Sequence, residues 1–300
     1  MSHVISELKE NWSDPEWIRG RLEHRVAGSI SALRYGADGL DVPSADWDNL
    51  FVLDACRADL FESRADIDAF DSYRRVRSKG SSTEEWVQKN WVGREFRDVV
   101  YVTANPTVAR YTPRTFYDRV DVFEDGFDRD AMTVYPETVA ERAREAFAPD
   151  KRIVVHFMQP HAPFYPSSVD VANWDPGLGD TMDLHGPWKA LRKGEVSREE
   201  VERAYAETFD AVLPVATELA GDLPGRSVIT ADHGNASGRL ALPLPLRIYG
   251  HPTGLRYPEL VEVPWAVLDG ERREITEGTI DRGEVDEDVV TDRLRAFGYV

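Results

Sequence analysis

Two apolar runs in this chain stop on acids. Leu50-Phe51-Val52-Leu53 ends at Asp54, and Val228-Ile229-Thr230-Ala231 ends at Asp232, followed at once by His233 and Gly234. Adjacent Asp232 and His233 offer one hard oxygen and one imidazole nitrogen from a single strand end, a donor set that suits Zn²⁺ or Mn²⁺. In parallel α/β sheets, ligand sites collect beyond the carboxyl ends of the strands, so the two runs would aim both carboxylates at one crevice. Each acid also has a plainer role. Asp54 precedes a helical run from Ala55 to Glu62 and would serve equally as its N-cap; Asp232-His233-Gly234 by itself favours ligation, and the joint pattern shifts the balance further to a metal.

A third strand end adds to it. Ile153-Val154-Val155-His156-Phe157-Met158 runs into Gln159-Pro160-His161-Ala162-Pro163-Phe164-Tyr165-Pro166, where three prolines forbid helix and stiffen the loop. An imidazole held on such a loop meets a charged substrate oxygen at little entropic cost, and His161 is assigned that role. His156 lies within the strand and reads as a hydrogen-bonded core residue or a support for the ligands.

With Leu53-Asp54-Ala55-Cys56-Arg57, the run from Phe157 to Phe164 and Thr230-Ala231-Asp232-His233-Gly234 in that order, the chain resembles the sulfatase-like branch of the alkaline phosphatase superfamily. Gly250-His251-Pro252 and Val263-Pro264-Trp265 are similar to the late His and Val-Pro strand of that branch. The resemblance spans residues 48–267. It implies that Asp54, Asp232 and His233 hold the metal, that His161 and His251 bind the oxyanion or leaving group, and that a hydroxyl or formylglycine at a helix N-terminus is the nucleophile.

The chain departs from the sulfatases in one respect. No Cys-x-Pro-x-Arg or Ser-x-Pro-x-Arg signature exists, and the lone cysteine, Cys56, lies in the first metal motif. The replacement falls in Gly80-Ser81-Ser82-Thr83-Glu84-Glu85-Trp86, between the first and second core strands. Ser81 has the spacing to Glu85-Trp86 seen in the lipoteichoic-acid-synthase relatives, which use a threonine; Ser82 and Thr83 stay open. Ser82 with Glu85, or Ser81 with Glu84, also reads as a capping box. The roles are compatible, since a helix N-terminus stabilises an alkoxide and an attached phosphoryl group. Arg57 and Lys79 are candidate oxyanion stabilisers, with surface ion pairing as the plainer reading.

These side chains require a frame. Core strands are expected at 49–54, 98–103, 152–158, 226–231 and 261–267. Helices are expected from Pro15 to Tyr35, Pro136 to Phe147, Ser197 to Ala220 and near Val289 to Phe297. Strands alternating with helices predict a three-layer α/β/α fold with a mostly parallel central sheet, alkaline phosphatase-like. One domain over 1–300 is expected, with an N-terminal helical extension at 1–45 and an irregular, lid-like insertion at 166–195 beside His161.

Composition bounds the partners. With 42% hydrophobic residues among 300, the chain can bury one large core. A net charge of −18 argues against a nucleic-acid partner, because phosphate backbones reward the basic clusters missing here. Six of the 36 basic residues are Lys, and an acidic, Arg-over-Lys surface points to a halophile. No run of 18 apolar residues and no signal-peptide pattern are found, so no integral membrane segment and a cytoplasmic location are expected.

The functional expectation is a metal-dependent hydrolase or transferase of phosphate or sulfate esters, working through a Ser or Thr nucleophile and a covalent intermediate. Its substrate would be a small-molecule or glycan ester, and a phosphoester is preferred because the formylglycine motif is absent. One divalent ion is expected, Mn²⁺ or Zn²⁺ ahead of Mg²⁺ or Ca²⁺. The alternatives are a sulfate ester hydrolase and a catalytically degenerate, metal-clamped binding protein. Oligomeric state is left open.

Overall fold

Every side chain of β1, Asn49–Leu53, is buried, and they divide by parity. Phe51 and Leu53 join one apolar cluster with Val100, Val102, Val155 and Phe209, while Leu50 and Val52 join a second with Trp86, Trp91, Tyr101 and Val154. A strand buried on both faces reads as a continuous apolar run, which is why it was legible in the sequence. The computed structural model describes residues 15–169, 186–240, 247–280 and 287–296.

The remaining strands are β2 Ser72–Arg77, β3 Phe96–Thr103, β4 Phe116–Asp121, β5 Phe127–Asp128, β6 Thr133–Val134, β7 Arg152–Phe157, β8 Ser227–Thr230, β9 Ala236–Leu240, β10 Arg247–Gly250 and β11 Glu262–Leu268. Seven of them form one sheet in the order β2-β11-β8-β1-β7-β3-β4. The pairs β8-β1, β1-β7, β7-β3 and β3-β4 are parallel, and only β11 runs against its neighbours. Helices cover both faces, giving the expected three-layer α/β/α arrangement.

The five expected core strands are all present. β2 and β4 were not anticipated, and the reason is chemical. They are the two edges, and Ser-Tyr-Arg-Arg-Val-Arg and Phe-Tyr-Asp-Arg-Val-Asp carry the charges that keep an edge from pairing with another chain.

The helix Arg198–Asp222 starts from a capping box of Ser197 and Glu200 and lays Val201, Tyr205, Phe209 and Val212 on the sheet. On the opposite face the helix Thr83–Asn90 packs through Trp86 and Val87. The first helix, Pro15–Tyr35, meets the chain's later part through Ala27 and Tyr35, which join Leu255, Tyr257 and Leu260.

Part of the proposed 166–195 insertion is regular after all. Gly186–Lys193 is a helix whose Trp188 is buried against Phe164, while 170–185, including His185 and Trp174, lie outside the described residues. Residues 1–14 of the proposed extension lie outside them too. Among the described residues no helix is long and apolar enough to cross a membrane.

Candidate metal centre

Because β8, β1 and β7 are parallel neighbours, their carboxyl ends lie along one edge, and each releases a polar residue there. Asp54 follows β1; Asp232 and His233 follow β8; His161 follows β7. One donor atom from each of Asp54, Asp232 and His233 lies within 4.8 Å of the others, and all three side chains are fully buried. His233 Nε2 is 3.7 Å from Asp54 Oδ1 and 3.4 Å from Asp232 Oδ2.

The local backbone is built for this convergence. Ala55 adopts φ 61°, a left-handed conformation that L-residues avoid, and its N–H then donates to Asp232 Oδ1 over 3.0 Å. Tyr205 holds the strained turn by donating to the Ala55 carbonyl and accepting from Arg57 N–H at 3.0 Å. Gly234 has no room for a Cβ, which would stand 2.2 Å from the Glu259 carbonyl oxygen.

Tautomers follow from the carbonyls. A carbonyl only accepts, so His233 Nδ1–H donates to Gly234 O at 2.9 Å, leaving the Nε2 lone pair facing the two carboxylates. His161 likewise donates from Nδ1 to Ala162 O. Its Nε2 faces His251 Nε2 across 2.9 Å. His251 also lies beside His233, with ring centroids 4.6 Å apart.

Burial sets the charges. It pushes His233 and His161 down to about 3 and His156 down to about 4, so all three are neutral near pH 7. Burial pushes His251 down as well, helped by His233, and raises the Asp232 carboxyl. No guanidinium or ammonium pairs with Asp232 among the described residues, and its Oδ2 has no hydrogen-bond partner among them. Buried carboxylates met by neutral donors and neutral imidazoles alone are costly unless a cation joins them, so the donor set fits a divalent metal.

The three candidate hydroxyls separate cleanly. Thr83 Oγ1 lies 3.2 Å from His233 Nε2 and 3.5 Å from Asp54 Oδ2, at the first turn of its helix. Ser82 is the N-cap, accepting from Glu85 N–H, and its Oγ also meets Thr253 Oγ1 at 2.9 Å. Ser81 Oγ donates to Pro252 O at 2.9 Å and sits 3.1 Å from Glu85 Oε2. Of the three, Thr83 brings its hydroxyl to the centre, while the Ser81 and Ser82 hydroxyls hydrogen-bond within the turn and to Pro252 and Thr253. The reciprocal contact of a capping box is displaced by one residue, since Glu85 accepts from Ser81 N–H.

Arg57 and Lys79 take the plainer reading. Arg57 forms a two-pronged pair with Glu202, both bonds 2.9 Å, and Lys79 pairs with Asp41.

Two residues went unrecognised in the sequence. Asn105, after the end of β3, donates from Nδ2 to Asp54 Oδ2 at 2.6 Å while its Oδ1 caps the next helix. Its signal was its position, a polar residue at a fourth strand end. Tyr101 is the other: its hydroxyl meets His156 Nδ1 at 3.0 Å, and His156 Nε2 faces Asp54 and Asp232 at 3.6 and 3.9 Å. His156 is therefore the buried, hydrogen-bonded support expected of it.

No protein-family profile and no curated protein sequence matches the chain. Among solved structures it is similar to the integral membrane protein lipooligosaccharide phosphoethanolamine transferase A from Neisseria meningitidis, with a TM-score of 0.50 and 14% identity over 90% of this chain and 58% of that one. The soluble domain of the same transferase gives 0.49 and 13% identity, over 76% of this chain and 78% of that one. The chain spans less than two thirds of the full transferase, and identity at this level speaks to fold. In architecture, the chain shares the three-layer α/β/α fold of that transferase, built on a mostly parallel seven-stranded sheet.

Proposed function

We propose that the chain is a metal-dependent phosphotransferase or phosphoester hydrolase that works through a covalent phosphothreonine at Thr83. The observation that carries this reading is the Thr83 hydroxyl, 3.2 Å from His233 Nε2 and 3.5 Å from Asp54 Oδ2 at a helix N-terminus. A divalent cation held by Asp54, Asp232 and His233 would lower the pKa of that hydroxyl and polarise a non-bridging substrate oxygen.

With its proton released to solvent, Thr83 Oγ attacks phosphorus in line; an O–P bond forms to Thr83 as the bond to the leaving oxygen breaks. The imidazoles of His161 and His251, their Nε2 atoms 2.9 Å apart, are the groups assigned to meet the departing oxygen, which takes up its proton from solvent as it leaves. The first turn of Thr83–Asn90 meets the phosphoryl charge with backbone N–H groups. Water or an acceptor alcohol then attacks the phosphorus and releases Thr83. Likeness in fold to a phosphoethanolamine transferase supports a phosphoester over a sulfate ester.

The test is a panel of 4-nitrophenyl phosphate, bis(4-nitrophenyl) phosphate and 4-nitrophenyl sulfate with Mn²⁺ or Zn²⁺. Wild type and Thr83→Ser should turn over a phosphate ester, Thr83→Ala should lose roughly 10³-fold or more in rate, and phosphothreonine should be trapped at position 83. Turnover of the sulfate alone would overturn the phosphoester reading. Metal binding that stabilises the fold without any turnover would leave the metal-clamped binding protein.

A further inference from the structure

A cavity of about 490 Å³ is lined in part by Asn235, two residues beyond His233. Five arginines line it, Arg34, Arg57, Arg198, Arg239 and Arg247, drawn from four separate stretches of a chain whose net charge is −18. Two of them are neutralised. Arg57 is held by Glu202 and Asp59, and Arg239 pairs with Glu259 at 2.9 Å. Arg198 reaches Glu202 only at 4.0 Å. Arg34 and Arg247 have no carboxylate within ion-pair distance among the described residues. Arg247 is instead aimed by its Nη1–H bond to Gly238 O at 2.7 Å, and Arg34 lies near the Tyr35 ring, 5.3 Å from its centroid.

A second observation is independent of the charges. Asn235 lines the same cavity, is fully buried, and neither its Nδ2 nor its Oδ1 has a hydrogen-bond partner among the described residues. An unpaired buried amide costs free energy, which a ligand recovers only where the cavity wall opens to admit it. A cavity presenting surplus guanidinium charge matches a multiply charged oxyanion, since Arg recognises phosphate oxygens with two parallel N–H bonds.

We infer that this cavity is a second anion site, distinct from the metal centre, that binds the phosphate group of a small molecule or a lipid headgroup through Arg34 and Arg247. It stands without the reading of Thr83, because neither its residues nor its test involves turnover.

The test uses calorimetric titration of EDTA-treated protein with inorganic pyrophosphate and, separately, with phosphatidylcholine vesicles containing phosphatidic acid. Saturable binding is expected, weakened at least about tenfold when Arg34→Gln and Arg247→Gln are combined, because each charge-assisted bond lost is of that order. Asp232→Asn should leave the affinity unchanged. Both arginines are exposed, so the double variant should keep its thermal midpoint. Binding of vesicles alone would assign the phosphate to a lipid headgroup, and binding of pyrophosphate would assign it to a soluble ligand. Absence of saturable binding to both, or binding lost with Asp232→Asn and untouched by the double variant, overturns the inference.

Discussion

The backbone N–H of Ala55 reaches Asp232 Oδ1, 3.0 Å away and 177 residues later, only because Ala55 sits at φ 61°. Asp54 and Asp232 are thereby tied through the peptide that joins Asp54 to its neighbour, and strain is spent to do it. Left-handed backbone costs an L-residue about 1–2 kcal/mol, and a β-branched side chain fares worse. Ala55→Val is expected to lose roughly 2 kcal/mol in urea unfolding and to bind Zn²⁺ more weakly. Ala55→Gly should match wild type in both measurements. Equal stability of the valine variant would show that the turn relaxes freely.

Acid should unfold the metal-free protein early. His156 and His161 are pushed down to about 4 and about 3 in the fold, against 6.5 when solvated, so the unfolded chain binds more protons than the folded one between those values. Stability is therefore complete above pH 6.5 and falls as the pH drops towards 4. Asp232, raised by burial, acts with the opposite sign just above its ordinary value of 3.8 and offsets part of the loss. Thermal midpoints measured in EDTA across this range check it; a flat profile would contradict the neutral imidazoles.

Gly234→Ala should damage the centre without touching a ligand. Its Cβ would stand 2.2 Å from the Glu259 carbonyl oxygen and 3.1 Å from Arg57 Cγ, so the segment carrying His233 must shift. Overpacking of this kind costs about 1–3 kcal/mol. Because Gly234 O also fixes the His233 ring, Zn²⁺ affinity is expected to fall about 10–100-fold in a competitive chelator titration.

Much of the centre was legible because β1, β7 and β8 are buried on both faces and so write uninterrupted apolar runs, each stopping where the chemistry begins. Asp54, Asp232 and His233 could be read from those stops. The hydroxyl could not. Successive helical positions point about 100° apart, so which of Ser81, Ser82 and Thr83 faces the carboxylates depends on where the helix starts. Placing the N-cap at Ser82 turns Thr83 inward, and only the fold reveals that phase. Asn105 hid behind Pro106, since Asn-Pro reads as a turn or cap, and it does cap. The arginine-lined cavity was beyond reach because Arg34, Arg57, Arg198, Arg239 and Arg247 have no common motif. β2 and β4 were missed because their charged residues break the apolar alternation used to find strands.

The sheet order β8-β1-β7 makes the peptide ladder the ruler of the candidate metal centre. Adjacent strands stand about 4.8 Å apart wherever they hydrogen-bond, so the spacing of the strand ends is inherited from backbone geometry. Side chains then have only to bridge the last few ångströms. Ligand-selecting segments away from that edge are free to diverge in length and composition while the chemistry stays calibrated, and a graft of new specificity onto this scaffold would begin there.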